Sequence, residues 1–146
     1  MPEHTRIEEL RGTFLFEEFN ETQLEWVIVH SDVRHYAAGE YAFQQTMPTD
    51  AFWVLLDGEI QHTRIVAGQE MVLEQADRPG TWGGWLPMFD KVGTVNLKIV
   101  TPSRLLRIHK HALQHMLDHG FPLTTHLLYG LYGGVQSVEA LRWAGS

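Results

Sequence analysis

The spacing of apolar residues divides the chain into a helical start, a strand-rich middle and a helical end. Over residues 7–30 apolar side chains recur at close to helical spacing, and Asn20 followed by Gln23 is a capping-box pattern that predicts the start of a second helix. Residues 33–109 instead alternate short apolar runs with turns, which predicts strands. Helical spacing returns over residues 110–143.

Glycine and proline pairs punctuate the strand-rich middle. Predicted turns fall at Ala38–Gly39, Asp57–Gly58, Ala67–Gly68 and Thr101–Pro102, and Gly120 is placed to end a helix. Short strands joined by such turns predict a mainly β fold, an antiparallel, jelly-roll-like β-roll with N-terminal and C-terminal helices. The 146 residues suit a single domain, with a helical lead-in at 7–30, the roll at 33–109 and C-terminal helices at 110–143.

The amino-acid composition argues against several classes of chemistry and several kinds of partner. The chain has no cysteine, which excludes disulfides and thiolate chemistry and is compatible with a reducing compartment. Its N-terminus is charged and no stretch reaches the ~18 apolar residues of a membrane span, so we expect a cytoplasmic protein without a membrane partner. The net charge is −7 and the eleven Lys and Arg residues are scattered, so we expect no nucleic-acid partner.

The stretch most suggestive of binding lies between two predicted strands. Gly83 and Gly84 are adjacent and are flanked by Trp82 and Trp85. Such a loop can point several backbone amides at an anion, but the same composition also makes an ordinary packed turn. The two tryptophans either stack on a planar ligand or fill the space that a ligand would need. The residues alone leave both alternatives open.

Catalytic and metal sites have little support. The histidines at 111, 115 and 119 share one face of a predicted helix, as metal ligands could, but only Asp118 offers a carboxylate near them. None of the serines lies in a nucleophile pattern such as GxSxG. Metal-dependent cupins build their sites from several histidines on the roll strands, and His62, alone in the hairpin region, does not supply such a cluster. We therefore predict neither catalytic residues nor a metal site.

The order of these signals resembles the cyclic nucleotide-binding domain family. The stretches that carry the resemblance are LRGTFLFEEFNETQLEWV as the opening helix, YAAGEYAF as the "PAGE" turn, AFWVLLDGEIQHTRI as a hairpin, RPGTWGGWLPMF as the phosphate-binding cassette, and VTPSRLLRIHKHALQHMLDHGFPLTTHLL as the last strand and its helices. Together they cover roughly residues 10–130. The resemblance implies a β-roll sensor fold and a non-catalytic, regulatory role.

The chain departs from the family where ligand binding is decided. Family members that bind cyclic nucleotides carry a cassette glutamate for the ribose and an arginine for the cyclic phosphate. In this chain the position of that glutamate is occupied by Gly84 or Trp85, depending on the register of the alignment. The position of the arginine is occupied by Thr94, and the nearest cationic residue is Lys91. We therefore predict a degenerate cassette that does not bind cAMP or cGMP in the usual way. Its candidate ligand-binding residues are Trp82, Gly83, Gly84, Trp85, Lys91 and Thr94, and its nucleotide-like ligand is unknown.

A narrower resemblance concerns the cassette variant and the C-terminal stretch. These look like the N-terminal sensory domain of actinobacterial-type histidine kinases, which implies a regulatory piece attached to a kinase or another output domain. The apolar residues from Leu127 onward predict a homodimer formed through the C-terminal helix. The alternative is a structural or protein-interaction module whose pocket is filled by its own side chains.

Overall fold

A computed structural model describes residues 2–48, 50–83 and 94–128. The helices are α1 (Ile7–Arg11), a 3-10 helix (Phe14–Phe16), α2 (Glu21–Val29) and α3 (Lys110–Asp118). The strands are β1 (Ser31–Tyr36), β2 (Tyr41–Phe43), β3 (Ala51–Val66), β4 (Gln69–Ala76), β5 (Trp82–Gly83) and β6 (Asn96–His109). Residues 124–128 are again helical.

All strand pairs are antiparallel, and β6 and β3 lie at the centre. The strand order is β1-β6-β3-β4, with β2 pairing with β6 and β5 pairing with β3. This confirms the prediction of a mainly antiparallel β-roll with flanking helices.

Several local predictions are confirmed. The Asn20 side chain accepts from the Gln23 amide at 2.8 Å, and the Gln23 side chain accepts from the Asn20 amide at 3.0 Å, so the capping box forms at the start of α2. Ala67–Gly68 is the two-residue turn between β3 and β4, and both residues have positive φ. Gly120, with φ of +73°, follows α3. Its amide and that of Phe121 bond to Leu117 and Met116, which closes the helix end.

The predicted turns at Asp57–Gly58 and Thr101–Pro102 are wrong. Both pairs lie inside long strands, β3 and β6, and face each other across an irregularity in the register. Gly58 has φ of +112°, and an added Cβ would lie 2.0 Å from Ser103 Oγ. A proline is tolerated at such an irregularity because no ladder hydrogen bond needs its missing N–H. The residues that signal a turn therefore form a bulge, because each strand continues beside its partner.

Arg104 fixes the bulge to the N-terminal helices. Its guanidinium donates two hydrogen bonds to the Glu9 carboxylate of α1, at 2.7 and 3.0 Å, and one to Asp57 at 2.8 Å. The hydrogen bonds from Arg104 hold the pKa of Glu9 below its usual value. One side chain therefore joins α1, β3 and β6.

The long strands carry a different core on each face. The helix-side core includes Phe52, Val54 and Leu56 of β3 together with residues of the helices. The roll interior includes Ala51, Trp53 and Leu55 before the bulge but Ile60 after it. The bulge thus switches which alternate positions of β3 point into the roll.

The predicted C-terminal helices are described only as far as Leu128, where Leu127 is buried in the helix-side core and Leu128 is 60% exposed. The remainder of the 110–143 prediction lies outside the described residues. Within the described ranges, no helix is long and apolar enough to cross a membrane.

Candidate functional site

The strand that leads into the cassette, β5, pairs with β3. Gly83 lies opposite Trp53, and Trp82 lies opposite Val54. Gly83 is buried, and a Cβ added there would lie 2.9 Å from Leu97 Cδ1 and 3.0 Å from His62 Nε2. The glycine therefore lets the cassette backbone approach two side chains of β3 and β6 closely.

Trp82 points to the other side of β5. Its ring centroid is 5.4 Å from that of Phe52, and its indole Nε1 donates to the backbone oxygen of His126 at 3.4 Å. Phe14 of the 3-10 helix also lies against His126, with ring centroids 5.7 Å apart. Trp82 thus packs with the helix-side core and contacts the helical residues that follow α3.

Of the other four cassette residues named from the sequence, the structure describes only Thr94. Thr94 is exposed, at a bend two residues before β6 begins. Gly84, Trp85 and Lys91 lie outside the described residues. Of the six candidates, the structure therefore positions Trp82 and Gly83 against β3, and their side-chain positions face opposite sides of β5.

His62 is beside the cassette strand, a position that sequence reasoning did not assign to the site. In the sheet it is paired with Glu74 of β4 on one side and Leu97 of β6 on the other. The His62 side chain is only 15% exposed, and its Nδ1 lies 3.9 Å from Glu74 Oε2. Burial lowers the pKa of His62 to about 4, so the imidazole is neutral at pH 7. The sequence does show that His62 follows Gly58 by four residues. That spacing indicates which side of β3 His62 faces only if the bulge at Gly58 is already known.

The opposite face of the same strands carries a separate polar network. Glu70 of β4 accepts hydrogen bonds from Tyr41 at 2.7 Å, Thr63 at 2.9 Å and Lys98 at 3.0 Å. Lys98 adjoins Leu97 on β6, so it alternates to the face away from His62. The hydrogen bond from Tyr41 is the main cause that lowers the pKa of Glu70. Lys98 is thus occupied in a structural network.

The histidines of the α3 region form a stack of rings. His115 stacks on Trp26 of α2 with centroids 4.5 Å apart, and His119 stacks on His115 at 3.9 Å. His30 also stacks on Trp26, with ring centroids 3.9 Å apart. No group of three or more His, Asp or Glu side chains in the described ranges has metal-site geometry. The alignment of His115 and His119 on one helix face thus serves to pack α3 against α2.

Comparison with known proteins identifies the fold and the family. Residues 33–119 match the model of the cyclic nucleotide-binding domain family. The sensor domain of the transcriptional regulator DNR from Pseudomonas aeruginosa is 28% identical, with a TM-score of 0.73 and 90% of each chain covered. A search of curated protein sequences finds no significant match.

Two structures with lower identity share the fold. The Thermus thermophilus catabolite activator protein is 20% identical, with a TM-score of 0.69 over 89% of this chain and 61% of its own. The regulatory domain of Toxoplasma gondii PKA, crystallised with cAMP, is 19% identical, with a TM-score of 0.64 over 74% of this chain. This chain spans only 41% of the Toxoplasma chain. With the match to the family model covering more than half of its residues, the chain belongs to the cyclic nucleotide-binding domain family, whose members are regulatory rather than catalytic.

Proposed function

We propose that this chain is a non-catalytic sensory domain that responds to a ligand other than cAMP or cGMP and transmits the response through its C-terminal helical segment. The contact of Trp82 with His126 is the observation that carries this proposal, because it joins the strand leading into the cassette to the helical residues after α3. A displacement of the cassette strand would therefore move or release that segment.

The altered ligand preference is supported by the residues at the two charged positions of the family cassette. Gly84 or Trp85 stands at the glutamate position, and Thr94 at the arginine position. Each missing charge-assisted contact forfeits about 1.5 to 3 kcal/mol. The loss of both weakens binding by about two to four powers of ten.

Calorimetry with cAMP tests the ligand preference. The wild-type chain should show no micromolar binding, and a double substitution, Gly84→Glu with Thr94→Arg, should create it. Thr94→Arg alone serves as a control that adds the cation without the ribose contact, and it should give a smaller gain. Micromolar binding of cAMP by the wild-type chain would contradict the proposal.

The transmission step has its own test. Trp82→Phe keeps the ring packing against Phe52 but removes the indole donor to His126. We expect faster amide hydrogen exchange at residues 124–128 in the variant, while exchange in β6 stays unchanged. Tyr36→Phe, which removes a hydroxyl group from β1 on the roll side, is the control and should leave exchange at 124–128 unaltered.

A second candidate function follows from Leu97 and His62 standing within about 3 Å of the Cβ position at Gly83. If side chains of the chain fill the roll, the domain is a structural or protein-interaction module. A thermal-shift screen against cyclic nucleotides, cyclic dinucleotides, ATP, metabolites and divalent metals separates the two functions. Saturation at one hundred times the dissociation constant stabilises a protein by about 2.7 kcal/mol. A ligand that raises the melting temperature supports the sensor, whereas a silent screen supports the module.

The proposal also covers how the domain assembles, where it acts and what it controls. The similarity of its cassette and C-terminal stretch to sensory domains of actinobacterial-type histidine kinases supports a cytoplasmic homodimer that controls an attached kinase or other output domain. The apolar Leu128, exposed on the helical segment, supports dimer formation there. Analytical ultracentrifugation of the wild-type chain and of Leu128→Glu measures this, and an unchanged monomer in both would contradict the dimer.

A further inference from the structure

The first turn of α3 is capped by a histidine. His109 stands at the N-cap position, with a φ of −62° and a ψ of 147°, and its imidazole Nδ1 accepts a hydrogen bond from the backbone amide of His111 at 3.2 Å. The amide of Lys110 donates instead to the backbone oxygen of Asp50 at 2.9 Å. The start of α3 therefore has one amide bound by a carbonyl and one bound by an imidazole.

An imidazole can cap a helix in only one of its protonation states. Because a backbone amide can only donate, Nδ1 of His109 must carry a lone pair, which places the ring proton on Nε2. A second proton would occupy Nδ1, remove the acceptor and set one N–H against another. Asn20, which caps α2, has no proton to gain near neutral pH. The cap of α3 thus depends on pH, whereas the cap of α2 does not.

The surroundings of His109 oppose its protonation. Partial burial is the main cause that lowers the pKa of His109 below its usual value of 6.5. The positive charges of His111 and Arg107 lower this pKa further, and the His111 ring lies with its centroid 4.8 Å from that of His109. Asp50 raises the pKa, and Lys110 adds a smaller lowering. The positive end of the α3 dipole also disfavours a cation at this position.

His109 lines a surface cleft of 660 Å³ whose carboxylates are paired with other basic groups. Glu3 bonds to His35 at 2.9 Å, and Asp32 accepts from Arg34 at 2.5 Å. The charged and titratable side chains that line this cleft with His109 are Glu3, His4, His30, Asp32, Arg34 and Arg107. The pairing of Glu3 and Asp32 limits what these carboxylates can contribute to a charged imidazole at His109.

We infer that His109 is an acid-sensitive cap whose protonation opens the first turn of α3. The contribution of the neutral imidazole is fully present above pH 6.5 and is lost as the pH falls below that value, because the unfolded chain binds the proton more readily. Since α3 stacks on α2 through His115 and Trp26 and leads to the helical residues 124–128, its loosening weakens the support of that segment. This inference goes beyond the proposed function, because it requires no ligand.

Nuclear magnetic resonance of the ¹⁵N-labelled chain between pH 7.5 and pH 5 tests the cap directly. At pH 7.5 the His109 ring should show an unprotonated Nδ1. As the pH falls, the amide signal of His111 should shift with the same midpoint as the His109 ring, because that amide loses its acceptor. The amide of Gln23, which Asn20 caps, is the internal control and should show no shift with that midpoint.

Two substitutions separate the cap from the other histidines. His109→Asn keeps a capping acceptor that cannot be protonated, and it leaves every other histidine in place. The protection of α3 amides from hydrogen exchange should agree between this variant and wild type within about twofold at pH 7.5. At pH 5 the variant should be protected about fivefold more, as expected for the loss of a typical cap in wild type. His109→Ala should show the lower protection at both pH values.

Three outcomes would overturn the inference: a proton on Nδ1 of His109 at pH 7.5, a His111 amide that does not follow the His109 ring, or the same pH dependence of α3 protection in wild type and His109→Asn. If His109→Ala does not fold, the ring signals and His109→Asn still decide. None of these outcomes bears on the ligand preference, which the cAMP titration tests separately.

Discussion

The two faces of β3 and β6 pack against different parts of the molecule. On the helix side, Phe52, Val54 and Leu106 pack with apolar side chains of the helices. On the roll side, Trp53 and Leu55 are followed, beyond the bulge, by His62 beside Glu74. The roll-facing side of β3 thus carries a buried imidazole next to the cassette strand, whereas its helix-facing side before the bulge carries the apolar residues that pack against the helices. The difference locates the candidate site where the apolar pattern of β3 is interrupted.

The largest effect is expected from Gly58→Ala, which attacks the bulge that separates the two halves of β3. The new Cβ would lie 2.0 Å from Ser103 Oγ and 2.7 Å from its Cα, at a φ of +112°. Strain and overpacking together should lower the free energy of unfolding by about 4 kcal/mol. Urea denaturation measures the change.

Gly68→Ala is the control for Gly58→Ala. Its φ is also positive, at +79°, but no atom lies within 4 Å of the Cβ position. It should cost only about 1 kcal/mol, the backbone cost alone. Equal losses in the two variants would show that the close approach of Ser103 contributes nothing.

Truncation of the helix-side core should have the next largest effect. Leu106 is fully buried, and Leu106→Ala should lower the free energy of unfolding by about 3 kcal/mol through lost burial and the cavity left behind. Val29→Ala, at a site 67% exposed, also truncates an aliphatic side chain and should cost less than about 0.5 kcal/mol. A Leu106→Ala loss below 1 kcal/mol would argue against this core as the main stabilising face.

His62, on the roll side of β3, should make the free energy of unfolding depend on pH. The folded-state pKa of His62 is lowered to about 4 from 6.5, so the unfolded chain binds the proton more readily between these values. The contribution of the neutral imidazole is fully present above pH 6.5 and is lost as the pH falls toward 4. It amounts to at most about 3 kcal/mol.

The difference between wild type and His62→Gln isolates this contribution. Urea denaturation from pH 7.5 to 4.5 should show wild type losing stability faster than the variant as the pH falls. Gln69→Asn, an uncharged change at an exposed residue of β4, is the control and should follow wild type. Parallel pH profiles for wild type and His62→Gln would contradict the lowered pKa.

The smallest expected effect is that of Gly83→Ala, which places a methyl group between β5 and the roll interior. The contacts at 2.9 Å to Leu97 and 3.0 Å to His62 involve side-chain atoms that can shift. The cost should therefore be about 1 to 2 kcal/mol. Combination with Leu97→Val should recover part of it, whereas additive losses would indicate that the two sites do not touch.

Local sequence rules predicted the features that depend on a few neighbouring residues. The capping box of Asn20 and Gln23, the Ala67–Gly68 turn and the Gly120 helix end need only the chemistry of short segments. The antiparallel roll was also predicted, because alternating strands and turns leave few other architectures. The same rules gave the wrong result at Asp57–Gly58 and Thr101–Pro102, where turn residues form a bulge.

The sequence by itself determined the helices among the described residues, two of the four predicted turns and the fold class. Only the tertiary structure decided that β3 runs through Gly58, because Ser103 of the continuous β6 must approach that position closely. The bulge in turn sets which side chains point inward, and so brings His62 and Glu74 beside Gly83. No local pattern carries that information, since it depends on the register of strands far apart in the chain.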